Sequence, residues 1–110
     1  MADTFKVYVK ERFQNVEHIH PLQQEKVAAM VKEFSADPNI LKLIIFGSSV
    51  TKQCRVGSDV DFYVIPENAQ LLKHKHYGFD FVYDRWTPDM VNERFLNEIL
   101  STGVVVYEKK

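Results

Sequence analysis

Hydrophobic positions along the chain alternate between helical and strand spacing, and the switches mark the elements. Val27, Met30, Val31 and Phe34 recur at helical intervals. They predict a helix from about Pro21 to Phe34, with proline in its first turn, where its missing N–H costs nothing. His20-Pro21 is then a boundary, and Ala36-Asp37-Pro38-Asn39 is turn chemistry that ends the helix. Leu41 to Phe46 is a short apolar run closed by Gly47, the pattern of a strand covered on both faces. Val60 to Ile65 reads as a second strand, led in by Gly57-Ser58 and closed by Pro66. Phe79 to Tyr83 reads as a third strand and Val104 to Tyr107 as a short last one, while Glu67 to His74 has room for two helical turns. Thr87 as N-cap and Pro88 behind it predict a further helix with Met90, Val91, Phe95, Ile99 and Leu100 as its buried stripe, and Gly103 suits the position past its end. The segment Asp3 to Asn15 fits two patterns. Phe5, Tyr8, Val9 and Phe13 share a helical face and Phe5, Val7 and Val9 alternate as in a strand; helix is favoured because Lys10, Glu11 and Arg12 extend the polar side. The expected architecture is α/β (α+β), a mixed sheet of about four strands covered by helices.

Composition adds exclusions. With 110 residues, one domain is expected, burying roughly 65% of the unfolded chain's surface. A hydrophobic share of 45% excludes wholesale disorder. A net charge of −1 argues against a protein that grips nucleic acid through bulk charge. The lone Cys54 can form neither an internal disulfide nor a thiolate zinc cluster, which fits a reducing compartment. With no apolar run near the ~18 residues that span a bilayer, and no signal-peptide pattern, a small cytoplasmic domain without membrane association is expected.

The stretch Leu43 to Val64 carries the chemistry. A buried strand ends at Gly47-Ser48, and ten residues separate that pair from Asp59-Val60-Asp61. Side chains alternate along a strand, so Asp59 and Asp61 project to one face about 7 Å apart. Two carboxylates aimed at one spot repel unless a cation sits between them, and oxygen-only ligands suit Mg²⁺ or Mn²⁺. Gly47 permits close backbone approach to a ligand, and Ser48 and Ser49 offer hydroxyls and N–H groups as a phosphate cradle. Phosphate on one side and paired carboxylates on the other is the layout of metal-assisted phosphoryl or nucleotidyl transfer.

Gly47, Ser48, Asp59 and Asp61 together resemble the signature of the nucleotidyltransferase superfamily of the DNA polymerase β type, most closely its minimal nucleotidyltransferases, from about residue 40 to the C-terminus. The resemblance implies that fold, with residues 1–38 as N-terminal helices and 40–110 as the catalytic core. It implies that Asp59 and Asp61 bind metal, and that a third carboxylate on a later strand is both ligand and base. Asp80, within Gly78-Phe79-Asp80-Phe81-Val82, is preferred for that role; Asp84 shares its strand parity and is the rival. Gly47, Ser48, Ser49 and Lys52 are the expected nucleotide contacts. The family commonly has Arg directly after Gly-Ser and a small residue three positions later, where this chain has Ser49 and Lys52, leaving Lys52 or Arg55 to supply charge. The implied activity is transfer of a nucleoside monophosphate, AMP from ATP or another NTP, to an acceptor hydroxyl with Mg²⁺ or Mn²⁺. The implied partner is a helical HEPN-like protein on which the chain acts as an antitoxin, or a second copy of the chain. The alternative is a catalytically weak relative that regulates a partner by contact.

Other candidates have plainer readings. His18/His20 and His74/His76 are spaced to share a face, but no third metal ligand lies near either pair, so they are expected at the surface. Lys73 to His76 is read as a solvated basic loop, and Cys54 as a free thiol. Tyr77, Tyr83 and Trp86 are expected to pack near a sheet edge, with base stacking as the second option.

Overall fold

Chain order and burial follow from a sheet with both faces covered. The computed structural model describes residues 3–110. The first helix, α1 (Pro21–Ser35), begins at Pro21, with the His20 ring as its cap: Nδ1 accepts the Leu22 N–H at 3.1 Å. Strand β1 (Ile40–Phe46) has Leu43, Ile44, Ile45 and Phe46 all buried, as a central strand requires. A 3₁₀ turn, Gly47–Val50, leads through a loop to β2 (Val60–Pro66). Then come the short helix α2 (Ala69–Lys73), β3 (Tyr83–Trp86), α3 (Glu93–Thr102) and β4 (Val104–Glu108). The strand order is β3-β2-β1-β4, with β2 and β4 antiparallel to β1 and β3 parallel to β2. This is the mixed four-stranded sheet expected.

One face of the sheet presents Leu43, Ile45, Phe62 and Val64 to Val27, Met30 and Phe34 of α1. The other presents Ile44, Phe46 and Tyr63 to Ile99, with Phe95, Leu96 and Trp86 packed around them. The second layer is thinner because α3 alone supplies the helix there. At the start of β4 the backbone runs so close to α3 and β1 that a Cβ on Gly103 would stand 2.5 Å from the Ile99 carbonyl oxygen and from Ile44 Cγ2. Gly103 is therefore fixed by close packing, and its backbone is not left-handed.

Three expectations are corrected. The segment Asp3 to Asn15 is neither helix nor strand; its stretch from Lys6 to Tyr8 lies against α1, and it bends at Lys10-Glu11. The buried Gln24 side chain stands in for a neighbouring strand there: Oε1 accepts the Tyr8 N–H at 2.8 Å and Nε2 donates to the Lys6 carbonyl at 2.8 Å. The third strand is Tyr83–Trp86, because β2 starts at Val60, which pairs with Tyr83, so residues 79–81 lie beyond its end with nothing to pair with. Their aromatic rings stack instead, Tyr77 on Phe79 and Phe79 on Phe81, with Tyr77 and Phe79 against Phe34. The last helix starts at Glu93, capped by Asn92, whose Oδ1 accepts the Phe95 N–H at 2.7 Å. Thr87 donates its hydroxyl to Asp89 instead, ahead of a 3₁₀ turn at Pro88–Met90, and both Met90 and Leu100 are exposed. Among the described residues no helix is long and apolar enough to cross a membrane.

Candidate active site

The central strands bring the acidic and glycine-serine segments together. Phe46, the last residue of β1, pairs with Asp61 of β2, so the turn that follows β1 starts beside the Asp61 side chain. Gly47 has φ +76°, and a Cβ there would stand 2.5 Å from Asp61 Oδ2. Both the left-handed backbone and the close approach demand glycine. The Gly47–Val50 turn is closed by the Thr51 N–H and hydroxyl, which donate to the Ser48 carbonyl at 3.1 and 3.2 Å.

On the opposite side of β2, Asp61 pairs with Asp84 of β3. Asp61 alternates with the buried Val60 and Phe62, and Asp84 with Tyr83, so both carboxyl groups face the α3 side of the sheet. Asp59 lies one residue before β2 and is exposed. The Asp61 carboxyl is pushed up to about 6 by its burial, by a hydrogen bond with Asp84, and by the charges of Asp84 and Asp59. The groups that act on Asp61 are all carboxylates, a donor set that a hard divalent cation would satisfy. Among the described residues no three His, Cys, Asp or Glu side chains are already gathered at ligand spacing; Asp61 and Asp84 are neighbours in register across β2 and β3, and Asp59 acts on Asp61 through its charge.

Asp80 is elsewhere. It is exposed, precedes β3, and lines a cavity of about 240 Å³ with Ala29, Lys32, Glu33, Gly78, Phe79 and Phe81, against α1. The structure therefore brings Asp84, not Asp80, to Asp61. The signal that separates them is strand pairing, which parity alone does not reveal.

The glycine-serine turn opens onto a cavity of about 780 Å³, lined by Phe46, Gly47, Ser48, Thr51, Phe95 and Glu98 among others. That volume suits a small-molecule ligand. Ser48 faces it, but the Ser49 hydroxyl, expected among the nucleotide contacts, is fully buried and accepts a hydrogen bond from Gln23. Lys52 is exposed, and its N–H donates to Asp3 at 3.2 Å. Cys54 is a buried free thiol. Trp86 packs edge-on against Phe95, with ring centroids 4.9 Å apart, the packing role expected of it.

Comparisons with known proteins agree with the fold. A chain in a crystal structure described as the toxin-antitoxin MntA-HpeT, in a double aspartate-to-glutamate mutant form, superposes with a TM-score of 0.52 at 15% identity. The match covers 78% of this chain and 73% of that one, and at such identity it speaks for the fold. No curated protein matches the chain. The family profile described as "Polymerase beta, Nucleotidyltransferase" matches residues 25–110, starting in α1, well before the glycine-serine turn. With most of its length matched, the chain belongs to the polymerase beta nucleotidyltransferase family.

Proposed function

We propose that this nucleotidyltransferase is metal-dependent and transfers AMP from ATP to an acceptor hydroxyl on a partner protein. The observation that carries the reading is Asp61: the charges of Asp84 and Asp59 act on its carboxyl, and it abuts Gly47, which itself lines the 780 Å³ cavity. Residues 40–110 hold this core. Asp59, Asp61 and Asp84 would hold Mg²⁺ or Mn²⁺, with Asp84 in the role first expected of Asp80. The cation supplies positive charge against the triphosphate when bound. The Gly47 backbone and the Ser48 hydroxyl hold the β- and γ-phosphates, and Lys52 adds charge at the rim. The acceptor oxygen attacks the α-phosphorus, its proton passes to the Asp84 carboxylate, and pyrophosphate leaves in line.

The acceptor is proposed to come from outside the chain, on a helical HEPN-like partner or a second copy. The described neighbour is itself a toxin-antitoxin assembly, and the family resemblance points to the antitoxin role for this chain. Incubation with labelled ATP, Mg²⁺ and candidate partners tests the reading. Label transfer is expected, and transfer that survives Asp59→Asn with Asp61→Asn overturns it.

One observation favours a second reading, a catalytically weak binding module. Where the family commonly has Arg, Ser49 turns inward to Gln23, so no cation reaches out from that position. Calorimetry separates the two, because a scaffold would not bind Mg-ATP.

A further inference from the structure

Gln23 is a polar side chain of α1, 1% exposed and buried against the glycine-serine turn and the loop before β2, and nothing in the proposed chemistry uses it. Its Nε2 donates to Ser49 Oγ at 3.2 Å, to the Ser58 carbonyl at 3.0 Å and to the Asp59 carbonyl at 3.4 Å. Two of these partners are carbonyl oxygens, so the amide must present its NH₂ group, and its orientation is chemically determined. The two N–H groups of the amide face three acceptors. The same end of α1 also holds the turn by its backbone, where the His20 N–H donates to the Ser49 carbonyl at 2.8 Å.

These contacts join two stretches that the sequence separates. Ser49 is one residue past Ser48 in the phosphate-side turn, while Ser58 and Asp59 lead into the acidic strand. Between them runs a loop, 51–57, that has no helix or strand of its own. Sheet pairing begins only at Val60, so it orients Asp61 but not Asp59. We infer that Gln23 is a positioning residue: it locks the Asp59 backbone to the glycine-serine turn and so sets where the Asp59 carboxylate stands relative to Asp61. Its importance for cation binding rests on the reading under Proposed function; the lock itself does not.

Gln23→Met removes the donors at nearly constant volume, and Val31→Ala, a partly buried change on the same helix, is the stability control. In hydrogen exchange, Gln23→Met is expected to speed exchange about tenfold in both 47–50 and 57–61, while the control leaves those segments unchanged relative to its own melting loss. Mn²⁺ affinity, read by paramagnetic resonance, is expected to fall about tenfold in Gln23→Met, the usual size for loss of a residue that orients a metal ligand. The kcat for transfer should fall more than KM for ATP rises. Gln23→Glu, which sets an oxygen against two carbonyls, should do the same or worse. Unchanged exchange in the two segments, or equal changes in the control, overturns the lock. Should Gln23→Met fail to fold, Ser49→Ala carries the test: it removes one acceptor, and unchanged exchange at 47–50 overturns the inference. Absence of Mn²⁺ binding by the native protein overturns the reading of the acidic cluster instead, and the exchange result then decides the lock alone.

Discussion

Asp61 and Asp84 face each other across the parallel pair β2–β3, in direct register, on the side of the sheet that α3 covers. Two carboxyl groups placed side by side, with a third one residue before the strand, are unfavourable in the protein alone and favourable around a divalent cation. The register also sets Asp84, and not Asp80, beside Asp61.

Asp84→Asn should therefore reduce nucleotidyl transfer by roughly 10²-fold or more, as its proposed roles of orienting the cation and accepting a proton require. Asp80→Asn, exposed against α1, should leave kcat and KM within about twofold, in line with ordinary surface substitutions. Steady-state kinetics of the two variants check this. Loss of activity in Asp80→Asn with retention in Asp84→Asn would reverse the assignment.

The choice between those aspartates shows where sequence reading stops. The glycine-serine turn and Asp61 were legible because one strand ends at a glycine and another surrounds the acid with apolar residues, both local signals. Helix α1 and strands β1, β2 and β4 came from local periodicity in the same way. The third strand did not, because residues 79–83 alternate as well as 83–86, and only the starting point of β2 decides which of them finds a partner. Thr87 and Asn92 are both good caps, and the choice depends on Thr87 bonding Asp89. Gln23 and Gln24 were invisible for a different reason. Polar residues in the first turn of a helix read as solvent-facing, yet both are buried because loops with unpaired backbone groups lie over them.

The pH dependence of cation binding follows from the same pair. The Asp61 carboxyl is held near 6 by burial, by the Asp84 hydrogen bond and by the charges of Asp84 and Asp59, so a proton competes with the cation below that pH. Mn²⁺ affinity should fall steadily as pH drops through about 6, and in Asp84→Asn the fall should move to lower pH. Stability of the metal-free protein runs the opposite way. A carboxyl whose folded pKa exceeds its unfolded one makes the folded state bind more protons, so stability decreases as pH rises from 3.8 to about 6 and is level above. Thermal melts across that range should show the decline, and Asp61→Asn should remove it.

Gly47→Ala and Gly57→Ala form a matched pair. Both positions are left-handed, with φ +76° and +88°. A Cβ at Gly57 meets nothing within 4 Å, whereas at Gly47 it meets the Asp61 carboxylate. Each substitution should cost about 1–3 kcal/mol through backbone strain, measurable by denaturant unfolding. Only Gly47→Ala should also weaken Mn²⁺ binding, because Asp61 Oδ2 has to move. Equal Mn²⁺ affinity in both variants would mean that Asp61 does not bind the cation from this position.

Away from the site, Tyr77 donates its hydroxyl to Asp37 at 2.9 Å, tying the aromatic stack to the turn that ends α1. Burial works to raise the Asp37 pKa, but the Asn39 N–H, the Tyr77 hydroxyl and the Lys75 ammonium outweigh it and hold the carboxyl below its ordinary value. A carboxyl lowered in this way stabilises the fold above its unfolded pKa, and the contribution disappears as pH falls through the folded value. Tyr77→Phe keeps the ring against Phe34 and removes only the hydrogen bond, so it should cost about 0.5–1.5 kcal/mol at neutral pH. As pH falls from the unfolded value of 3.8 through the lowered folded value, the Asp37 contribution is lost, and the difference between the unfolding free energies of native and variant should shrink. Denaturant titrations at pH 7 and pH 3 check both parts, and a difference that stays constant between the two would show that the Tyr77 hydroxyl does not act through the Asp37 charge.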